Sequence, residues 1–449
     1  MPVVEQSTTF VRQRRRASKK PTPSPFLASR VLLITALVSA PWAFGAIAPW
    51  AWTSLGLISC LSLFLWALAS VRRGVAEPAW SPLYIPLALF FLLGTAQYYR
   101  HLTLDTSETR LALMMLGIDL VLFFVSVQVF SEAGSEAWSR FGYLILVFTV
   151  SIGLFSILQF ASGTTRIYWV FDTTGLPFGP YSNPDHYAAL MEMAIPVAVG
   201  YIAERRQREF ETSLLLPVLA VTVAIASLLL SGSRGGLLSG SVELLIAVVI
   251  LRRFIEGKPR WTLAGIAAAV LLASILLFSW LDPGWAAAKL GSIIDVQGQA
   301  WITATEFRRN LIKDSIHMLR EHPLSGVGLG NFETAYPPYQ SFPSDLTIDF
   351  AHNDYMQAFA ETGLIGAGLI LAAILLFLRL AFGDCRQKLR SGHGWIQLGA
   401  TLGCCGLLVH SLVDFNLHIP ANSAWFAVLA GMSVTRRRSL TSSLPLCDR

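Results

Sequence analysis

Ala351-His-Asn-Asp-Tyr-Met-Gln-Ala-Phe-Ala-Glu-Thr-Gly-Leu-Ile-Gly366 joins the longest polar segment of the chain, residues 282–355, to an apolar run that continues to Leu380. A histidine, an amide and a carboxylate therefore stand at the mouth of a candidate membrane helix, where polar groups need a local reason to be present. His352 is the first candidate for chemistry, because an imidazole can take or give a proton near neutral pH.

Outward from this junction the chain is strongly apolar. Of its 449 residues 54% are hydrophobic, the mean hydropathy is +0.55, and long apolar blocks recur throughout. That pattern predicts one all-α polytopic membrane unit and excludes an ordinary soluble enzyme. The net charge of +6 would suggest nucleic acid if it formed one tract. The basic residues instead sit at the ends of apolar runs, which argues for no nucleic-acid partner. Cys60, Cys385, Cys404, Cys405 and Cys447 show no metal-ligand spacing, and the adjacent pair reads as part of an apolar helix.

Candidate spans fall at 31–48, 50–70, 82–98, 111–130, 141–160, 185–203, 213–231, 236–251, 261–281, 356–380, 395–413 and 420–434. This gives about twelve transmembrane helices between two cytoplasmic tails, 1–30 and 435–449, with a large outer loop at 282–355 that contains short helices. In that arrangement 25 of the 34 Lys and Arg residues lie on the inner side and nine on the outer. Such an imbalance orients the protein. It puts Arg234 and His352 on one outer face.

Three polar stretches punctuate the spans. Asn183-Pro-Asp-His186 opens a helix: Asn183 and Asp185 suit the capping of free amides, and His186 is a candidate for lining an entrance. Ser231-Gly-Ser-Arg-Gly-Gly236 interrupts an apolar tract, so Arg234 either ends a span at the water boundary or lines a pocket for an anion. In the large loop a helix is expected near Thr303–Glu321. Its apolar spacing runs through Phe307, Leu311, Ile312, Ser315, Ile316 and Leu319, with Arg308, Arg309, Lys313 and Asp314 interleaved as its polar side. His322–Phe332, with Gly326, Gly328 and Gly330, is expected to end that helix in flexible turns; without a strand before it, the glycine spacing is no nucleotide signature. A guanidinium from Arg308 or Arg309 directed toward Arg234 would clamp a pyrophosphate.

Taken together, Ser233-Arg-Gly235, the Arg308–Gly330 block, and His352-Asn-Asp-Tyr355 through Glu361-Thr-Gly363-Leu-Ile-Gly366 resemble the bacterial O-antigen ligase and lipid-linked polysaccharide polymerase superfamily. Asn183-Pro-Asp-His186 looks like its upstream motif, and Ile312 stands where the family often has tryptophan. The resemblance implies transfer of a glycan from undecaprenyl pyrophosphate to an acceptor hydroxyl, lipid A-core first, at the periplasmic face of the bacterial inner membrane. It implies His352 as the catalytic residue and Arg234 and Arg308, with Arg309 as a close alternative, as the pyrophosphate site. Asn353, Asp354, Tyr355 and Glu361 are expected to support the site or the glycan, Asp354 also as a helix cap. No metal or other cofactor is implied. The implied partners are the lipid-linked donor, the acceptor and membrane lipids, with a glycan flippase and a chain-length regulator. Polymerisation of lipid-linked repeat units and passive transport of a lipid-linked glycan remain alternatives to ligation.

The charge pattern generates a topological prediction. A membrane-impermeant thiol reagent applied from the periplasmic side should label a cysteine placed at Asp349 and leave one placed at Arg140 unlabelled. The reverse pattern would invert the bundle and remove the basis for an outer-face site.

Overall fold

The computed structural model describes residues 24–74, 77–173, 175–208, 215–254, 299–344, 347–383, 385–390 and 393–436. Its helices are α1 (Ser24–Trp42), α2 (Pro49–Arg72), α3 (Tyr84–Tyr99), α4 (Thr106–Ser131), α5 (Ser135–Ala161), α6 (Pro184–Arg208), α7 (Leu215–Ser231), α8 (Arg234–Phe254), α9 (Gln299–Glu321), α10 (Phe332–Ala335), α11 (Asp354–Phe382), α12 (Cys385–Arg390), α13 (Gly394–His410) and α14 (Pro420–Val434). Pairing outside helices is confined, among the described residues, to two isolated β-bridges. The protein is thus all-helical, as its hydrophobic patterning predicts. Six helices, α1, α2, α4, α5, α6 and α11, are long and apolar enough to cross a membrane, and α7 and α13 are shorter apolar helices. The candidate span 261–281 lies outside the described residues, so the structure does not establish a count of twelve. α1 starts at Ser24, within the stretch read as a tail, where Arg30 lies over the Phe26 ring and reaches the Val129 carbonyl.

Connections between helices sort onto two ends of the bundle. At one end Asp105 N donates to Asn331 Oδ1 at 2.6 Å, Tyr181 Oη to Asn422 Oδ1 at 3.0 Å, and His352 approaches Asp414. At the other, Arg73 pairs with Glu132, Trp395 Nε1 donates to Gln207 Oε1 at 2.8 Å, and Trp138 stacks on His393. These contacts fall into two separate groups, one at each end of the helices.

α13 sits at the centre, and its small residues explain how it gets there. Gly399 faces the Pro196 carbonyl and Gly403 faces the Met193 backbone, so α13 and α6 approach closely over several turns. Close backbone approach through small residues is how helices associate where lipid removes the hydrophobic drive. Cys404 and Cys405 are buried, as expected for an apolar helix, with Cys404 Sγ facing the Phe426 carbonyl of α14 at 3.9 Å. Trp425 of α14 fills the adjoining core with its Nε1 bonded to the Leu37 carbonyl at 2.8 Å.

α11 departs from the expected continuous span. Gly363 takes φ 63° and ψ −164°, which divides the helix in two. The strap 323–330 fills the gap: Val327 N donates to the Ala360 carbonyl and Gly328 N to the Glu361 carbonyl, both at 3.0 Å, and Leu364 N donates to the Pro323 carbonyl at 2.8 Å. Gln97 of α3 binds both sides, giving Nε2 to the Ser325 and Glu361 carbonyls and accepting Leu329 N. The turns expected to be flexible are therefore held by main-chain hydrogen bonds. Glycine is required because a Cβ on Gly326 would meet the Glu361 main chain, and one on Gly363 the Leu324 main chain.

α9 also differs from expectation in one residue. Asp314, placed with the solvated charges, is buried, and it accepts Tyr336 Oη at 2.7 Å and Ser341 N at 3.1 Å. It ties α9 to the segment after α10 while Leu311, Ser315 and Met318 pack inward.

The break in α11 predicts unequal effects for two glycines of one helix. Gly363→Ala should cost about 2 kcal/mol or more, since alanine pays for a left-handed φ and meets the strap besides. Gly368, whose Cβ would point into open space, should tolerate alanine. Melting of the purified protein should fall by about 2 °C or more for the first variant and stay unchanged for the second. Equal effects would refute the role given to the strap.

Candidate active site

His352 sits on the last residue but one before α11 and adopts φ 48°, an unusual conformation for a side-chain-bearing residue. Asn353 follows in extended geometry and is the helix cap, its Oδ1 accepting Met356 N at 3.0 Å. Its Nδ2 donates to the Leu412 carbonyl at 2.7 Å. The cap thereby fastens the start of α11 to the 411–419 loop, and the left-handed turn before it aims the imidazole at that loop.

Asp414 receives it. His352 Nδ1 lies 3.5 Å from Asp414 Oδ1, and His186 Nε2 lies 3.9 Å from Asp414 Oδ2. The Asp414 side chain is 2% exposed and that of His352 is 32% exposed, so the carboxylate stands behind a ring open to the outside. Burial by itself would raise the Asp414 pKa. The adjacent imidazoles of His352, His186 and His410 oppose this and hold the carboxyl below its usual range. Phe415 packs edge-on against both histidines, with centroids 4.9 Å from His352 and 4.8 Å from His186.

The remaining sequence candidates take distinct places. Asp354 is not the helix cap: its carboxylate accepts Leu417 N at 3.1 Å and pairs with His418 Nδ1 at 2.8 Å. Burial disfavours the His418 cation, but Asp354 and Glu361 outweigh it and raise that pKa. Tyr355 Oη donates to the Leu408 carbonyl at 2.6 Å. Glu361 accepts Gly330 N at 2.8 Å and Gln357 Nε2 at 3.1 Å, so it anchors the strap. Asn183 caps α6 through Asp185 N at 2.9 Å. His186, a candidate for an entrance, is 4% exposed and lies behind the site.

The arginines approach from two other elements. Phe307 of α9 packs edge-on to His352 with centroids 6.0 Å apart, and Arg308 and Arg309 follow it in the same helix. Arg308 is half-buried and Arg309 exposed, and neither pairs with a carboxylate among the described residues. Arg234 opens α8, half-buried, directly after the cap Ser233, whose Oγ accepts Gly236 N at 3.0 Å. The next residue, Gly235, lies against His410, one turn before Asp414.

Sequence reading missed Asp414 and His410. Both stand in His410-Ser-Leu-Val-Asp-Phe-Asn-Leu-His418, where α13 stops at His410 instead of running to residue 413. The available signal was the crowding of two histidines and an aspartate between two apolar runs.

Fold and site together define a multi-helix membrane protein with a histidine–carboxylate centre and arginines at one end of the bundle. Residues 219–371 match the model of the O-antigen ligase family, a stretch that contains Arg234, Arg308, His352 and Glu361. The chain is also 25% identical over 285 residues to a protein of Thiomonas intermedia named a probable peptidoglycan glycosyltransferase FtsW, covering 62% of each chain. It is 25% identical over 199 residues to an uncharacterized protein of Haemophilus influenzae, covering 43% of this chain and 48% of that one. The chain thus spans about half to six tenths of the length of these relatives. The coarse class these matches support is a membrane glycosyltransferase or ligase.

Asp414 generates a paired prediction. Asp414→Asn should lower glycan transfer by about 10²-fold, through loss of ring orientation and of charge behind His352. Because the folded pKa of Asp414 is depressed, its stabilisation is present above the unfolded value and is lost as pH falls through the folded one. The melting advantage of wild type over Asp414→Asn should therefore be full at neutral pH and narrow only below the ordinary carboxylate range, about pH 4. An advantage that vanished between pH 6 and 8 would contradict the assignment.

Proposed function

We propose that the protein transfers a glycan from undecaprenyl pyrophosphate to an acceptor hydroxyl, with inversion and without a metal ion. The acceptor proposed is lipid A-core, the setting the bacterial inner membrane, and the site its periplasmic face. The observation that carries this reading is the pairing of His352 Nδ1 with buried Asp414, beside α9, the helix that bears Arg308. With Nδ1 turned to the carboxylate, Nε2 is left for the acceptor hydroxyl. Its proton passes to Nε2 as the oxygen bonds to the anomeric carbon, and the bond from that carbon to the pyrophosphate oxygen breaks. Asp414 stabilises the imidazolium that results. Arg234 and Arg308, with Arg309 beside it, offset the charge that collects on the departing pyrophosphate. Asn353, Asp354, Tyr355 and Glu361 act by holding the start of α11, the 411–419 loop and the strap in register.

The similarity to a probable peptidoglycan glycosyltransferase supports a second reading, in which the acceptor is another lipid-linked glycan and the product a longer chain. Both readings use one chemistry. A glycan flippase would supply the donor in either case, and a chain-length regulator would belong to polymerisation.

Purified protein given a defined undecaprenyl-pyrophosphate glycan, with lipid A-core and lipid-linked glycans as alternative acceptors, separates the readings by product mass. Glycan on lipid A-core selects ligation, and elongation on the carrier selects polymerisation. Unchanged donor moved across a bilayer would replace both with transport. His352→Ala should reduce turnover by about 10²-fold or more while donor binding and membrane insertion persist. Near-normal turnover in that variant would remove His352 from the role of base.

A further inference from the structure

Beneath the Arg234 turn lies a buried polar pair that the mechanism above does not use. His410 Nδ1 of α13 is 3.0 Å from Glu192 Oε1 and 3.2 Å from Oε2 of α6, and the two side chains are 1% and 0% exposed. Carboxylates and imidazoles are rare in such positions and are retained for a reason. His410 Nε2, the other ring nitrogen, is buried with no hydrogen-bond partner among the described residues.

The glycines of Ser231-Gly-Ser-Arg-Gly-Gly236 show what rests on the pair. A Cβ on Gly235 would collide with His410 Nε2, and one on Gly236 would lie 3.0 Å from Glu192 Oε1 and 2.9 Å from Ala188 Cβ. The first turn of α8 is therefore seated on the pair itself, with both residues after Arg234 reduced to hydrogen so that it can sit there. Ser233 fixes the other side of Arg234 by capping Gly236 N. The arginine is bracketed by backbone that has nowhere to move. At the same time Ser239 Oγ bonds the Gly235 carbonyl at 2.8 Å, which stiffens the turn from within α8.

We infer that Glu192 and His410 are positioning residues for Arg234: their buried hydrogen bond locates the α8 turn so that the guanidinium meets the donor's phosphates. The inference rests on the proposed pyrophosphate role of Arg234 and extends it to two residues that touch neither substrate. Replacing the Glu192 carboxyl by an amide disturbs its hydrogen bond to the imidazole, the ring shifts, and Gly235 shifts with it. The effect reaches the donor only through Arg234, and the acceptor side, built on His352 and Asp414, is spared.

The test uses full-length protein in nanodiscs with undecaprenyl pyrophosphate as the binding probe. Glu192→Gln should weaken binding by about tenfold, the size of one coupled contact. Arg234→Ala should weaken it at least as much. The double variant should bind no more weakly than Arg234→Ala alone, since a positioning residue has nothing left to position. In turnover, the donor KM of Glu192→Gln should rise while the acceptor KM stays put. Unchanged binding in Glu192→Gln would overturn the inference, as would a double variant weakened by the product of the single effects, which marks a general structural role. If Glu192→Gln fails to insert, Gly235→Ala takes its place: it leaves the pair's own groups intact and displaces the turn, and wild-type binding there would equally overturn the inference. Arg234→Ala that binds like wild type would instead remove the pyrophosphate site itself.

Discussion

A helix that abandons its own hydrogen-bond ladder inside an apolar bundle must be given replacement partners. In this protein that constraint falls on α11 at Gly363, and the 323–330 strap meets it with main-chain donors and acceptors. The strap holds α9 against α11, and α9 carries Arg308, Arg309 and the Phe307 ring that packs on His352. Glu361 and Gln97 add side-chain bonds to the same junction. The candidate site thus depends on a splice between loop and helix more than one turn away from any proposed reacting atom.

A second dependence runs through the centre. Gly399 and Gly403 let α13 press onto α6, and this approach delivers His410 to Glu192 and Asp414 to His186 and His352. Larger residues at the two glycines would push apart the helices that bear the buried polar groups. The apolar packing and the polar chemistry are therefore one arrangement, with small residues setting the distance at which the hydrogen bonds form.

Much of this was legible in the chain. Apolar run length located α14 to the residue, and the glycine-rich interruption at 231–236 foretold two helices where the apolar tract suggests one. His352 stood out because a polar cluster at a span's mouth is costly without a use. Asp414 did not, because its value comes from a contact with residues 62 positions earlier, and local pattern carries no record of such a meeting. The break at Gly363 was hidden for a related reason: a glycine in an apolar run reads as helix until its φ is known. Asp354 was misassigned because asparagine and aspartate cap helices by the same bond, and here Asn353, one residue earlier, already makes it.

Asp414 leaves the ribosome only after α13. His352 and the three arginines are synthesised before it, so during insertion the histidine waits without its carboxylate until α13 has entered. A chain stopped before α13 would carry the arginines and the imidazole but not the carboxylate beside it. The order of the helices therefore acts as a built-in assembly check: His352 meets Asp414 only after α13 is in place.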